Sequence, residues 1–429
     1  MTHAAHTQAF LIHFSGQDAP GIAAQLTAIL AGYDVRILDI GQAQVHESLA
    51  LAFLVELVEM SSDAQPAPLQ AALQAQAKAL GLQVRFKPVE HSSLEAWLHG
   101  PRPDRMVVTL LGPAITARQL ARVTGIIAKH GMNIDRIERL SRRLAPEELS
   151  ANASPSYACV ELNLSGAEPE EAAMRAEFLA AAQYLSIDIA FQRESIFRRN
   201  RRLFAFDMDS TLIQGEVIDE LAKMAGVGQQ VAKITEAAMR GELDFDSSFT
   251  RRVGLLKGLP AERVHSLLNT IPLADGAERL LATLKLLGYH TVILSGGFNF
   301  FARSLQQRLG IDEIHANELE IVDGVVTGRV LPPVMNGARK AEILKLITQR
   351  KGFSLQQVVA VGDGANDLPM LGLAGMGIAY RAKPLVRAQA CHSISSLGLD
   401  GLLYLIGVRD RDRDRDLSPH ESALQKKCP

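Results

Sequence analysis

The chain has 429 residues, a formal net charge of −2, and 47% hydrophobic against 21% charged residues, the balance of a globular protein too long for one hydrophobic core, so two or three domains are expected. No basic stripe with interleaved aromatics is present, which excludes the usual nucleic-acid signature, and no apolar run approaches the ~20 residues of a membrane span. The N-terminus, MTHAAHTQAF, lacks a charged region followed by an apolar core, and Cys159, Cys391 and Cys428 form no CxxC pair, so the expectation is a cytoplasmic protein with reduced thiols.

Residues 8–88 switch between helical and strand periodicity. Gln8–Phe14 reads as a strand, Gly21–Ala31 as a helix, Val35–Val45 and Leu49–Val58 as strands, Pro68–Leu80 as a helix and Leu82–Pro88 as a strand. After the polar connection Gly100-Pro101-Arg102-Pro103-Asp104 the same order returns. Arg105–Leu111 is a strand, Thr116–His130 a helix, Ile134–Arg142 and Tyr157–Leu164 strands, Pro169–Leu185 a helix and Ile187–Arg193 a strand. A repeated βαββαβ unit predicts two ferredoxin-like α+β sandwiches, at 1–95 and 104–195. The pair resembles ACT domains, small modules that often bind amino acids and pair their sheet edges. That resemblance implies an amino-acid effector and a homodimer. Asp18-Ala19-Pro20-Gly21 resembles the ACT ligand-binding turn, while the second copy has Gly112-Pro113-Ala114-Ile115-Thr116 there, without the Pro-Gly pair. The first copy is therefore the better candidate for a ligand; a purely structural dimerisation platform is the competing reading.

Glu194–Arg202 (ESIFRRNRR) reads as a solvated, charged connection. Leu203–Phe206 is then a short apolar run of the kind buried on both faces of a sheet, ending in Asp207 and Asp209. Residues two apart in an extended segment point to the same side, so both carboxylates can face one point beyond the strand. Glu216–Leu284 is helical in pattern, with no strand of its own. His290–Leu294 is a second apolar strand, ending in Ser295-Gly296-Gly297-Phe298. Asn317–Val330 holds the hairpin signal Asp323-Gly324. Lys340 opens a helical pattern, and Val358–Val361 is a third strand, ending in Gly362-Asp363-Gly364-Ala365-Asn366-Asp367. Val408–Pro429, with its RDRDRDRD run, reads as a mobile tail from 409 onward.

Three strands ending in Asp, Ser and Asp predict a Rossmann-like α/β sheet, which places its ligand at the carboxyl ends of the strands. Carboxylates suit a hard cation, and Ser and Lys suit phosphate oxygens. The ordered set DMDST, SGGF, a lone Lys and GDGANDLPM resembles the haloacid dehalogenase superfamily of aspartate-nucleophile phosphatases, and within it the branch that hydrolyses phosphoserine. The resemblance covers about half of the chain, roughly Arg202 to Gly407, and implies a catalytic domain at 196–408 with a helical cap at about 216–284. It implies Mg²⁺ held by Asp207, Asp363 and the backbone carbonyl of Asp209, with Asp367 orienting a metal-bound water or Lys340. It implies Asp207 as nucleophile and Asp209 as general acid and base. Ser295, the Gly296 N–H and Lys340 would hold the phosphoryl group, with Asn366 beside them. For O-phospho-L-serine, Glu216 would take the ammonium, Arg252 the carboxylate, and Met239 and Phe245 would line the pocket. Serine, the product of the last step of serine biosynthesis, would be the effector at the ACT-like half. Other readings keep the chemistry but change the substrate to another small phosphomonoester, pass the phosphoryl group to an alcohol, or make the chain a non-catalytic amino-acid sensor. A helix cap is the bland alternative for Asp363, and a solvated surface residue that for Lys340.

Overall fold

The computed structural model describes residues 8–33, 35–57, 66–99, 104–143, 157–166, 169–240 and 242–411. The chain divides into two compact units, Met1–Arg102 and Pro103–Pro429.

In the first unit, β1 (Gln8–Gln17), α1 (Ile22–Ala31), β2 (Val35–Val45), β3 (Ser48–Leu57), α2 (Pro66–Ala79) and β4 (Gln83–Val89) form an antiparallel sheet of order β2-β3-β1-β4. Alternation does the sorting: Phe10, Ile12 and Phe14 of β1 and Leu51, Phe53 and Val55 of β3 are buried with Leu26, Leu30 and Leu73 of the two helices. Gly21, which precedes α1, has φ +89°, a conformation that favours glycine. A further helix, α3 (His91–His99), follows β4 and is anchored by the buried Leu94. The sequence reading has no helix there, because HSSLEAWLH offers too few apolar residues to show a period.

The second unit begins with the second copy. It comprises β5 (Asp104–Gly112), α4 (Ala117–Lys129), β6 (Met132–Arg139), β7 (Ala158–Gly166), α5 (Glu171–Leu185) and β8 (Asp188–Arg193), in the matching order β6-β7-β5-β8. A capping box starts α4: Thr116 Oγ1 accepts from Gln119 N–H and Gln119 Oε1 from Thr116 N–H.

The α/β core follows, with β9 (Leu203–Phe206) at its centre. Four helices are inserted after it: α6 (Val217–Met224), α7 (Gly228–Met239), α8 (Phe245–Gly254) and α9 (Ala261–Ser266). Then come α10 (Ala277–Leu286), β10 (His290–Phe298), α11 (Asn299–Leu309), the hairpin β11 (Glu313–Val322) and β12 (Val325–Leu331), and α12 (Gly337–Lys351). The chain closes with β13 (Val358–Gly362), α13 (Leu368–Leu373), β14 (Met376–Tyr380), α14 (Pro384–Gln389), β15 (His392–Ile394) and α15 (Leu402–Leu405). The sheet order is β12-β11-β10-β9-β13-β14-β15, parallel except for β12. Every residue of β9 is buried. Leu203 and Ala205 belong to the hydrophobic layer on one face, Phe204 and Phe206 to that on the other, which is why the run is apolar throughout rather than alternating.

The second ferredoxin-like domain keeps its own interior, around Val108, Leu110, Ile127 and Phe178, and packs other residues against the core, since Leu111, Leu140, Cys159 and Ala190 lie in one cluster with Phe204 and Phe206. Two expectations are corrected here. The connection Glu194–Arg202 is not a solvated linker: Arg198 has no exposed surface and pairs with the buried Glu161, and Arg201 is buried with Nη1 donating to Gln356 O. A run of arginines looks solvated in sequence because its counter-charge sits far away along the chain. Nor does the charged run at 409 begin as a mobile tail. Asp410 is buried, accepting from Arg142 N–H (2.8 Å) and Tyr404 Oη (2.9 Å), and Arg409 pairs with Glu138 (2.9 Å). Residues 412–429 lie outside the described residues.

Candidate active site

Parallel register builds the site. Phe206 of β9 lies level with Ile293 of β10 and Val361 of β13, so Asp207 and Asp363 emerge just past the ends of β9 and β13, beside Ser295, where β10 runs on past its last residue paired with β9. Asp207 N–H donates to Val361 O (2.9 Å), holding the first residue of the turn against the neighbouring strand. The chain then folds back on itself: Leu212 N–H and Ile213 N–H both donate to Met208 O (2.9 and 3.1 Å), with Ser210 at φ 54°.

Lys340, in the first turn of α12, has no exposed surface. Its Nζ lies 2.8 Å from Asp207 Oδ1 and 2.6 Å from Asp367 Oδ1. Burial alone would lower its pKa, but Asp207 and Asp367 outweigh that and hold the ammonium above its ordinary range. Oxygens of Asp207, Asp363 and Asp367 lie within 4.8 Å of one another. Burial, then the charges of Asp207 and Asp367, push the Asp363 carboxyl up to about 8; burial and Asp207 push Asp367 up to about 7, despite Lys340. One ammonium does not neutralise three crowded carboxylates. An all-oxygen set short of positive charge fits a divalent cation.

Asp209 is buried beside this cluster, with Oδ1 accepting from Val217 N–H at 2.8 Å. Burial, then Glu216 and Asp207, raise its pKa well above the carboxylate range. Its other oxygen rests against Gly297, where a Cβ would lie 2.3 Å from Asp209 Oδ2. Ser295 Oγ is buried and accepts from Gly297 N–H (2.9 Å). Asn366 turns its Oδ1 toward Gly364, where a Cβ would meet it at 2.3 Å.

The insertion supplies the far side. Glu216 begins α6 and accepts from Ser210 Oγ at 3.4 Å. Burial and then Asp207 and Asp219 raise its pKa, against the lowering effect of Arg252. Arg252 is half-buried on α8, its pKa lowered by burial against the pull of Glu216, Asp219 and Asp209. The Phe245 ring covers Gly296, within 3.0 Å of where a Cβ would stand, and stacks on Phe249, which reaches Phe298. A cleft of about 890 Å³ is lined by Glu216, by Asp219 and Lys223 of α6 and by Gln229 and Gln230 of α7. The structure thus gathers Asp207, Asp209, Ser295, Gly296, Lys340, Asp363, Asn366 and Asp367 at one sheet end, with Glu216, Arg252 and Phe245 above. Met239 closes α7, and its side chain lies outside the described residues.

Sequence reasoning missed Asn317 and the pair Asn336–Asp246. Asn317 is buried: Nδ2 donates to Gly296 O (2.8 Å) and Oδ1 accepts from Met335 N–H (2.7 Å), clamping the SGGF turn. Its only signal was a polar residue in a strand.

Comparisons with known proteins identify the domains. Residues 204–372 match the haloacid dehalogenase-like hydrolase model, and 8–87 and 105–192 each match an ACT domain model. The fold and site therefore define a haloacid dehalogenase-like hydrolase with two ACT domains. A phosphoserine phosphatase of Streptomyces coelicolor is 39% identical over 93% of this chain and 92% of its own length, and phosphoserine phosphatase SerB2 of Mycobacterium tuberculosis 38% over 93% of each. Among solved structures, a haloacid dehalogenase family hydrolase from Salmonella enterica serovar Typhi aligns with a TM-score of 0.58 at 30% identity, covering 70% of this chain and 99% of that one. A probable phosphoserine phosphatase from Vibrio cholerae aligns at 0.55 and 34%, covering 73% and 89%. The chain belongs to the phosphoserine phosphatase family.

Proposed function

We propose that the protein hydrolyses O-phospho-L-serine to L-serine and phosphate, the last step of serine biosynthesis. The observation that carries this reading is Lys340, buried between Asp207 and Asp367 where three strands end, with Glu216 and Arg252 facing the same space from the insertion.

In this reading Asp207 attacks phosphorus in line and forms an aspartyl-phosphate. Asp209 gives its proton to the departing serine oxygen, then takes one from the water that cleaves the acyl phosphate, returning both carboxyls to their starting state. Ser295, the Gly296 N–H and Lys340 hold the equatorial oxygens, where negative charge collects. Asp207, Asp363 and the backbone carbonyl of Asp209 would hold Mg²⁺, which when bound supplies the positive charge needed to bring a dianionic phosphate against a carboxylate. Asp367 orients Lys340. Glu216 receives the substrate's ammonium and Arg252 its carboxylate, with Phe245 and Met239 against its methylene.

We further propose serine as an effector of the ACT domains, a homodimer, and a cytoplasmic location. Among the described residues no helix is long and apolar enough to cross a membrane. The test is phosphate release from O-phospho-L-serine with Mg²⁺, against a panel of phosphomonoesters, for wild type and Asp207→Asn. Release specific to phosphoserine and lost in the variant is expected. A folded, metal-supplied protein silent on every substrate overturns the reading and favours an amino-acid sensor.

A further inference from the structure

The helix carrying Phe245 and Arg252, α8, belongs to the insertion, yet it is fastened to the core at both ends. At its C-terminal end, a Cβ on Gly328 of β12 would lie 3.1 Å from Gly254 O and 3.0 Å from Lys257 Cβ, so backbone meets backbone. The next segment extends the edge strand. Gly258 N–H donates to Val326 O (2.9 Å), Val326 N–H to Leu259 O (2.9 Å), and Ala261 N–H to Gly324 O (2.8 Å).

At its N-terminal end the fastening is a pair of side chains. Asn336 Nδ2 donates to Asp246 Oδ2 at 3.0 Å and faces Oδ1 at 3.3 Å. The same amide caps α12, its Oδ1 accepting from Arg339 N–H at 3.0 Å, and Asn336 O accepts from Lys340 N–H at 2.9 Å. One side chain therefore joins the first turn of α8 to the first turn of the Lys340 helix. Asp246 is not needed to cap its own helix, because Asp244 already does so, accepting from Ser247 N–H and Oγ at 2.8 Å each. Its carboxylate is left to the core. Its chain neighbour, Phe245, lies over Gly296.

We propose that Asn336 and Asp246 are positioning residues, a polar link that sets the amino-acid-recognising face of α8 at a fixed distance from Lys340 at the phosphoryl end. Neither touches the reacting atoms. The link acts because capture of a two-ended substrate depends on the spacing of the groups that hold its two ends. This inference rests on the phosphoserine reading above.

The experiment compares O-phospho-L-serine with p-nitrophenyl phosphate, which has no amino-acid end. Asp246→Ala raises KM for phosphoserine about five-fold, the scale of one lost hydrogen bond, while kcat changes less than two-fold and turnover of p-nitrophenyl phosphate stays as in wild type. Asn336→Asp keeps an acceptor for Arg339 N–H but sets two carboxylates face to face, so it raises KM at least as far. Combining Asn336→Asp with Asp246→Asn restores the bond with its polarity reversed and returns KM to within two-fold of wild type. Single variants that match wild type, or a reversal that fails to rescue although the protein melts at the wild-type temperature, overturn the proposal. A parallel loss on both substrates also overturns it, as it marks a structural role. Wild type that is inactive on phosphoserine overturns the substrate reading and this link with it.

Discussion

Lys340 Nζ sits 2.6 Å from Asp367 Oδ1, and neither side chain has any exposed surface. Lys340→Met leaves Asp207, Asp363 and Asp367 together without the buried ammonium that pairs with two of them. Breaking a buried ion pair by removing one partner costs about 3–5 kcal/mol, and the loss of charge at the phosphoryl group lowers kcat by at least about 10³-fold. Asp367→Asn is milder in stability, because it also relieves the crowding that raises Asp363. It lowers kcat about 10²-fold by releasing Lys340, and Mg²⁺ titration of its residual activity shifts to higher concentration. Wild-type kcat in either variant would remove Lys340 from the chemistry.

Gly297 is required by contact and not by a left-handed backbone. A Cβ there would stand 2.3 Å from Asp209 Oδ2 and 2.7 Å from Met208 Cε. Gly297→Ala therefore displaces the carboxyl assigned to proton transfer, and kcat falls about 10²-fold, the lower end of what general acid–base catalysis contributes. KM for phosphoserine changes little, since Glu216 and Arg252 are untouched. Steady-state kinetics separate the two; a rise in KM at constant kcat would mean that the loop serves binding.

How much of this was legible depended on where each partner lies along the chain. Asp207, Ser295 and Asp363 directly follow apolar runs, so strand period and position were enough to bring them together. The order βαββαβ is likewise local. Asn317 and Asn336 were opaque: an asparagine beside a turn reads as turn chemistry, and only the fold brings it to Gly296 or Asp246. Arg198 misled for the same reason, because its partner Glu161 lies 37 residues away on β7.

That pair offers a stability test. Arg198 and Glu161 are buried with no more than 1% exposure, and Arg199 (3.7 Å) is the only other cation paired with Glu161 among the described residues. Arg198→Met strands the carboxylate between the second ACT domain and the core, destabilising by about 3–5 kcal/mol. Replacing both, Arg198→Met with Glu161→Leu, recovers most of that loss, because the desolvation of both charges disappears. Denaturant midpoints of the single and double variants measure it; a double variant no more stable than the single would mean that the pair contributes more than it costs to bury.

His392 gives the pH dependence. It begins β15 and is buried, with Nδ1 lacking a hydrogen-bond partner among the described residues. Burial, and then Arg175 and Arg201, lower its pKa from 6.5 to about 3. The folded chain therefore refuses a proton that the unfolded chain accepts below about 6.5. Stability from this residue is fully present above that value and is lost as pH falls toward 3. Between pH 7.5 and 5.0 the loss is about 2 kcal/mol. His392→Gln cannot titrate, so its unfolding free energy falls less over the same interval, by about that amount. Urea unfolding of both proteins at the two pH values decides the matter. Equal slopes would show that His392 is protonated in the fold, which would require a carboxylate to reach it in place of the two arginines.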